Sequence, residues 1–478
     1  MDTYLFLDDH WIADQSGVTR RFHRAEKEEG PLMGKREGDT GTGPYTFGWG
    51  RRTPPCTAWA CDFHLEGGKY HALFFNSPDG LRWNTASRVR CDALPEDDNG
   101  DTQCAAYLYD ESGQYAPYNY LAALLYRRES GVDRAHVRFL RSQDGVHYEP
   151  FPGGPVWYGP GDVMCFLWDE TKQRYVVYYK IYEIKGFTKR GKPFSAHSPS
   201  FDVRKKKKVS ARVSGWLYQG GDLTKPMVKT NVKLRYGGDT SNDGGGVGTD
   251  RVLSLRRVIA YAESRDFLHW ENERVIITPP ERAALGDQGY GICVAQRHGM
   301  YIGMYQYFNS LSGVIDLILA WSYDGVHWSL NWDDRILTAG ESGAWDAGMV
   351  FGPEFFDTGD GRMCLYYGSL GVDHRVPDGA AQIGGVGRAW LRRDGYASLS
   401  GGAVETVPLT VRASKFSLNM RGRIQIAVKS PGGDVLASGV ARGDGCRVIA
   451  PVDMRPFAGQ EVVLSMDLTE GEVFSISL

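Results

Sequence analysis

The chain of 478 residues sets 55 Lys and Arg against 58 Asp and Glu, a formal charge of −3, so no general electrostatic bias toward nucleic acid or an anionic membrane exists. With 42% hydrophobic and 24% charged residues it has the composition of a globular protein with room for two or three domains. No run of about 18 apolar residues is present to span a bilayer.

The opening Met1-Asp2-Thr3-Tyr4-Leu5-Phe6-Leu7-Asp8-Asp9 lacks the basic and apolar regions of a secretory leader, and a cytoplasmic protein is expected. Eight cysteines (56, 61, 91, 104, 165, 293, 364 and 446) form no C-x-x-C pair and have no His at zinc spacing. Several lie in apolar strand patterns, so reduced buried thiols are expected, with no metal and no cofactor.

In chain order, a strand over residues 4–7 is followed by a polar, charged stretch to about Lys35. A hairpin signal then recurs: Ser77-Pro78-Asp79-Gly80-Leu81-Arg82-Trp83, Ser142-Gln143-Asp144-Gly145-Val146-His147-Tyr148, Ser264-Arg265-Asp266-Phe267-Leu268-His269-Trp270 and Ser322-Tyr323-Asp324-Gly325-Val326-His327-Trp328. A weaker copy is Arg392-Arg393-Asp394-Gly395-Tyr396. Asp-Gly between strand formers marks a tight turn, because Gly adopts positive φ without steric cost. The hairpin Asp residues stand 65, 122, 58 and 70 residues apart. A second mark precedes each hairpin: Asp39, Asp101, Asp162, Asp287 and Asp346, at intervals of 62, 61, 125 and 59.

Short apolar and aromatic strands fill each interval, so a unit of about 60 residues holds four antiparallel strands, the pattern of a β-propeller blade. The expected fold is all-β, with a five-bladed propeller over residues 1–400. The double interval is read as an insertion at about 183–253 in the third blade, holding Lys205 to Lys208 and the Gly-rich residues 237–248. A sixth, eroded blade starting at Gly221-Asp222 is the alternative. Residues 401–478 alternate apolar and polar positions between turn signals and are expected to form a small β-sandwich.

Inner strands of a propeller line a central funnel, so the five blade-start carboxylates could converge at its mouth. Crowded carboxylates repel, which lets one act as an acid while another stays ionised, the division that glycoside hydrolysis needs. Asp162, Asp287 and Asp346 are the expected catalytic carboxylates, with Glu341 as first choice of acid, ahead of Glu281. Asp39, Asp101, Glu354 and His374 are expected to bind substrate. So are Trp49, Trp157, Tyr158, Tyr290 and Trp345, since aromatic rings pack on sugar faces. The bland reading is that each Asp caps a turn and the aromatics fill blades. Trp83, Trp270 and Trp328 are assigned to the core. Gly244 to Gly248 lacks the Lys-Ser/Thr of a phosphate loop, and the lysine run reads as a solvated loop.

Leu5-Phe6-Leu7-Asp8-Asp9-His10-Trp11-Ile12, Gly161-Asp162, Trp345-Asp346-Ala347-Gly348-Met349-Val350 and Leu365-Tyr366-Tyr367-Gly368 resemble bacterial propeller proteins of the glycosyl hydrolase family 32-like or 43-like kind. So do Leu391 to Leu399 and the lead-in Val404-Glu405-Thr406-Val407-Pro408-Leu409-Thr410 to a C-terminal sandwich. The family 32 nucleophile motif Trp-Met-Asn-Asp-Pro-Asn is absent near the N-terminus, and Arg265-Asp266 lacks the Pro of an Arg-Asp-Pro motif. The resemblance implies a carbohydrate substrate and carboxylate acid–base hydrolysis of an oligosaccharide or small glycoside. Two alternatives stand: a phosphorylase with a basic pocket from Arg251, Arg256 or Arg257, and a carbohydrate-binding or scaffold propeller without catalysis.

Overall fold

The structure, a computed structural model, describes residues 2–35, 41–64, 69–84, 86–91, 106–127, 135–158, 163–189, 192–197, 210–218, 227–235, 255–280, 286–352, 355–374 and 383–478. Among them there is no α-helix, and a 3-10 turn at Arg455–Phe457 is the helical element of the C-terminal region. No helix of the described residues is long and apolar enough to cross a membrane.

Antiparallel meanders repeat along the chain. The first runs Gly48–Trp49, Cys56–His64, Lys69–Ser77 and Ser87–Arg88. The second centres on Tyr120–Arg127 and Ala135–Ser142, the third on Met164–Asp169, Arg174–Lys189, Leu255–Ser264 and Trp270–Ile277. Strands Lys192–His197, Ser210–Tyr218 and Met227–Arg235 extend that third sheet. The fourth runs Asp287–Arg297, Met300–Asn309, Val314–Ser322 and Ser329–Leu330, and a single parallel pairing of Ile315 with Met349 joins it to the fifth. The fifth consists of Met349–Phe351, Arg362–Leu370 and Gly384–Arg392, completed by Glu26–Lys27 and Met33–Gly34 from the start of the chain.

The hairpins owe their shape to one local device. Asp324 Oδ1 accepts the N–H groups of Val326 and His327, both at 2.8 Å, and Gly325 at φ 75° donates to Ser322 Oγ. Asp79 and Asp144 repeat it with Gly80 and Gly145. Phe267 takes the glycine position of the third copy at φ 58°, and Asp266 still caps Leu268 and His269.

Each turn is then held by the preceding sheet. Trp59 of the first donates to Gly145 O, Tyr115 of the second to Asp266 O, and Tyr178 of the third to Gly325 O. Arg297 and His298, ending the inner strand of the fourth, hold Asp394 of the fifth. Tyr366 of the fifth donates to Gly80 O of the first at 2.7 Å, so the succession closes on itself. Apolar cores lie between successive sheets: Val177, Phe139 and Phe267 between second and third, Tyr178, Ile292 and Tyr305 between third and fourth, and Phe47, Trp49 and Tyr366 between fifth and first.

Beyond residue 400, Lys415–Lys429, Val435–Asp453 and Glu461–Ser477 pair around a core of Phe416, Leu418, Met420, Ile424 and Leu464. The polar stretch after residue 7 is not structureless. Thr3–Leu5, Ile12–Ser16 and Thr19–Phe22 pair with Glu461–Ser477, Ala403–Thr406 and Ala397–Ser400. Ile12–Ser16 and Thr19–Phe22 are edge strands held by backbone pairing, whereas Thr3–Leu5 also buries Tyr4 and Leu5.

Candidate functional site

The inner strand of the fourth sheet carries the most site-like geometry. Between Gly289, opposite Tyr307, and Gly291, opposite Gln306, Tyr290 is an extra residue, a β-bulge. Both neighbours are glycine for steric reasons: a Cβ on Gly289 would lie 2.5 Å from the Tyr305 hydroxyl, and one on Gly291 would lie 2.5 Å from Val163. A bulge re-aims a side chain, and Tyr290 meets His374, their hydroxyl and Nε2 hydrogen-bonded at 3.1 Å. His374 is placed by its own N–H, which donates to Gly313 O. Phe308 and Phe351 stand 5.7 and 5.9 Å from the Tyr290 ring, and Tyr45 of the first sheet reaches Phe351.

Two buried cations flank this ring group. Lys180 Nζ lies 4.3 Å from the Tyr290 ring centroid. The Arg257 guanidinium lies 4.7 Å from Phe308 and donates to Gln288 Oε1 at 2.8 Å. Both side chains come from the third sheet and are 2% exposed, a placement that strengthens their attraction for any anionic or π partner. The sequence signal for Lys180 is a single lysine ending the aromatic run Tyr175-Val176-Val177-Tyr178-Tyr179.

Asp287 begins the same strand. Its Oδ1 accepts the Tyr307 hydroxyl in a short contact and Asn309 Nδ2 at 3.1 Å. Burial and that bond raise the Tyr307 phenol above its ordinary value. Asp346 has different partners. Its carboxylate is 7% exposed and receives Lys27 Nζ at 2.6 Å and the Tyr367 hydroxyl at 3.3 Å. Trp345 stacks on Tyr367 at 5.6 Å, covering the pair. Glu341 is exposed in the preceding turn, and no hydrogen bond or ion pair described links Asp287, Asp346 and Glu341.

Trp49 and Trp157 are core residues. Trp49 packs between Phe47, Trp83, Phe356 and Tyr366, and Trp157 against Tyr179 and Trp270, which leaves neither ring face for a ligand. Trp83, Trp270 and Trp328 pack against the cores between sheets. Asp39, Asp101, Asp162, Glu281, Glu354, the Tyr158 side chain, Arg251, Asp222, Lys205 to Lys208 and residues 237–248 lie outside the described residues. No group of three or more His, Cys, Asp or Glu suited to a metal occurs among the described residues.

No family model matches the chain. Over 155 residues it is 34% identical to the uncharacterized protein MT1551 of Mycobacterium tuberculosis (strain CDC 1551 / Oshkosh), a match covering 32% of this chain and 45% of that protein. The chain thus spans about half the length of that relative. Solved structures with a similar course include an N-acetylgalactosamine deacetylase from F. plautii in complex with blood group B trisaccharide, at 14% identity and TM-score 0.43, covering 79% of this chain and 96% of that one. A family 43 glycoside hydrolase from Xanthomonas citri complexed with xylose has 12% identity and TM-score 0.40, covering 76% and 90%. A family 32 β-fructofuranosidase from Bombyx mori has 11% identity and TM-score 0.38, covering 95% and 93%.

Proposed function

We propose that the protein is a glycoside hydrolase built on a five-bladed β-propeller within residues 1–400, a C-terminal β-sandwich (401–478) that the strands Thr3–Leu5, Ile12–Ser16 and Thr19–Phe22 join, and an insertion at about 183–253 in the third blade. The closed succession of turn contacts, from Trp59 through to Tyr366, supports five blades. One observation carries the functional reading: the bulge that turns Tyr290 onto His374, with Phe351 beside it and Lys180 and Arg257 flanking it, sets ring faces next to hydrogen-bonding groups. A sugar needs both, rings for its C–H faces and polar groups for its hydroxyls.

In this reading Asp287 and Asp162 supply the acid–base pair, and Tyr290 and His374 bind the sugar, with Asp39, Asp101 and Glu354 as further ligands. Asp346 and Trp345 are assigned to holding their loop, because Lys27 already occupies the carboxylate. Glu341, exposed, is set behind Asp162 as the acid. A second reading, phosphorolysis, is favoured by Lys180 and Arg257, since two buried cations suit a phosphate.

The test is a screen of aryl glycosides and oligosaccharides, with and without inorganic phosphate. Hydrolysis without phosphate, reduced at least about 100-fold in Asp162→Asn and Asp287→Asn, supports the first reading. Release of a sugar phosphate only when phosphate is present selects the second. Unchanged turnover in both variants rejects the site, and saturable sugar binding without turnover on any substrate points to a binding propeller.

A further inference from the structure

Two cysteines lie on neighbouring strands, Cys165 on Met164–Asp169 and Cys293 on Asp287–Arg297. Cys165 Sγ accepts the N–H of Val294, the residue after Cys293, at 3.4 Å. Gln306 Nε2 lies 4.0 Å from Cys293 Sγ, and the Val294 contact sets the Cys165 sulfur beside the backbone of Cys293. Both are free and only partly buried. Such a pair has no part in the sugar reading above, yet it has the layout of a reactive thiol beside a resolving one.

We propose that Cys165 and Cys293 form a peroxide-responsive dithiol, in which Cys165 is oxidised first and Cys293 closes a disulfide tying the third sheet to the fourth.

The roles follow from the surroundings. The neighbouring Cys293 thiol, the Val294 N–H and the Arg52 charge favour a thiolate at Cys165 and hold it below the ordinary thiol value against burial. The Cys165 sulfur beside it, together with burial, raises Cys293 well above the ordinary value, so it stays a thiol. Burial likewise raises Cys56, Cys446 and Cys364, the last to about 12. Thiolate character and access set the order of oxidation, which selects Cys165.

In the first step the Cys165 thiolate attacks one oxygen of hydrogen peroxide. The O–O bond breaks, hydroxide leaves and takes a proton to become water, and Cys165 becomes a sulfenic acid. In the second, the Cys293 sulfur attacks the Cys165 sulfur, the S–O bond breaks, and the hydroxyl leaves with the Cys293 proton as a second water. The two thiols lose two electrons and two protons, and peroxide is reduced to two waters. A thiol reductant reverses the change.

The test uses the full chain, reduced, freed of reductant and treated with a small molar excess of hydrogen peroxide before alkylation and tryptic mapping. The expected product is a cross-link between peptides 142–172 and 283–297, reversed by dithiothreitol, with Cys56, Cys364 and Cys446 still alkylated. In Cys293→Ser, dimedone is expected to label Cys165; in Cys165→Ser, Cys293 is expected to remain alkylatable. The proposal is overturned if the unsubstituted protein keeps both thiols alkylatable, if Cys165 passes to sulfinic acid without a cross-link, or if Cys293 is the residue that dimedone labels. The first two outcomes need no variant, so a folding defect in either serine variant leaves the test intact.

Discussion

Lys27→Met should be among the costliest single changes outside the apolar core. Lys27 sits on the N-terminal strand that completes the fifth sheet, and its ammonium contacts Asp346 Oδ2 at 2.6 Å. Two unit charges about 3 Å apart at an effective dielectric near 20 attract by roughly 5 kcal/mol, much of which desolvation offsets. Removing one partner of a buried pair costs about 3–5 kcal/mol, because the other charge is left behind. The Lys27 side chain is 25% exposed, which admits some water and favours the low end, about 3 kcal/mol. Asp346→Asn strands no charge that cannot reach solvent and should cost about 1–2 kcal/mol. The neutral pair Lys27→Met with Asp346→Asn should cost about 1 kcal/mol, giving a coupling of roughly 3–4 kcal/mol in a double-mutant cycle. Urea unfolding at pH 7, followed by tryptophan fluorescence, measures all four proteins. Additive costs, or a Lys27→Met variant within about 0.5 kcal/mol of the parent, would refute the argument. The neutral pair also separates roles, since full turnover in it would confirm that Asp346 holds structure and takes no part in chemistry.

Asp394 gives a pH prediction. Burial alone would raise its carboxyl, but the hydrogen bond from His298 and the charge and bond of Arg297 bring it down to about 2. The folded value lies below the unfolded one near 3.9, so its contribution, roughly 2.5 kcal/mol, is present above about pH 4 and lost as pH falls toward 2. Acid titration of unfolding should show Asp394→Asn less stable at pH 7 and the difference shrinking by pH 2; a constant difference would count against it. Gly145→Ala meets Phe74 at 2.5 Å with φ at 78°, whereas Gly433→Ala meets nothing within 4 Å at φ 96°. The first should cost about 2–4 kcal/mol and the second about 1, and equal costs in thermal unfolding would rule out the steric part. Trp157→Ala, by removing a core ring that is 3% exposed, should cost about 3–5 kcal/mol, and a loss of sugar affinity with stability unchanged would return that ring to the binding site.

The repeat was legible because its chemistry is local. An Asp that caps the N–H groups two and three residues on and a residue at positive φ lie within a few residues of each other, so composition and spacing display them. Phe267 shows how far the device stretches, holding φ 58° without a glycine because the Asp266 cap and the Tyr115 hydroxyl fix the turn. The N-terminal strands were illegible for the opposite reason. Thr19–Phe22 and Ile12–Ser16 contribute backbone groups at sheet edges, and their partners near residue 400 are chosen by tertiary structure.

The site divides along the same line. Spacing says which Asp begins a strand, but side-chain direction reverses with each residue, and one extra residue reverses it again. Asp287 and Asp346, in equal phase along the sequence, end in different surroundings, Asp287 beginning a strand and Asp346 lying in a turn ahead of Met349–Phe351. One shares a strand with a bulged tyrosine; the other is paired with a lysine 319 residues away. A local clue to the first was present, since Gly289-Tyr290-Gly291 breaks a strand with glycine on both sides of an aromatic. No local clue to the second exists, because Lys27 and Asp346 meet only after the start of the chain has closed the last sheet. Asp287, which shares its strand with the bulge, is therefore the carboxylate to test first for chemistry, and the Lys27–Asp346 pair the one to test for stability.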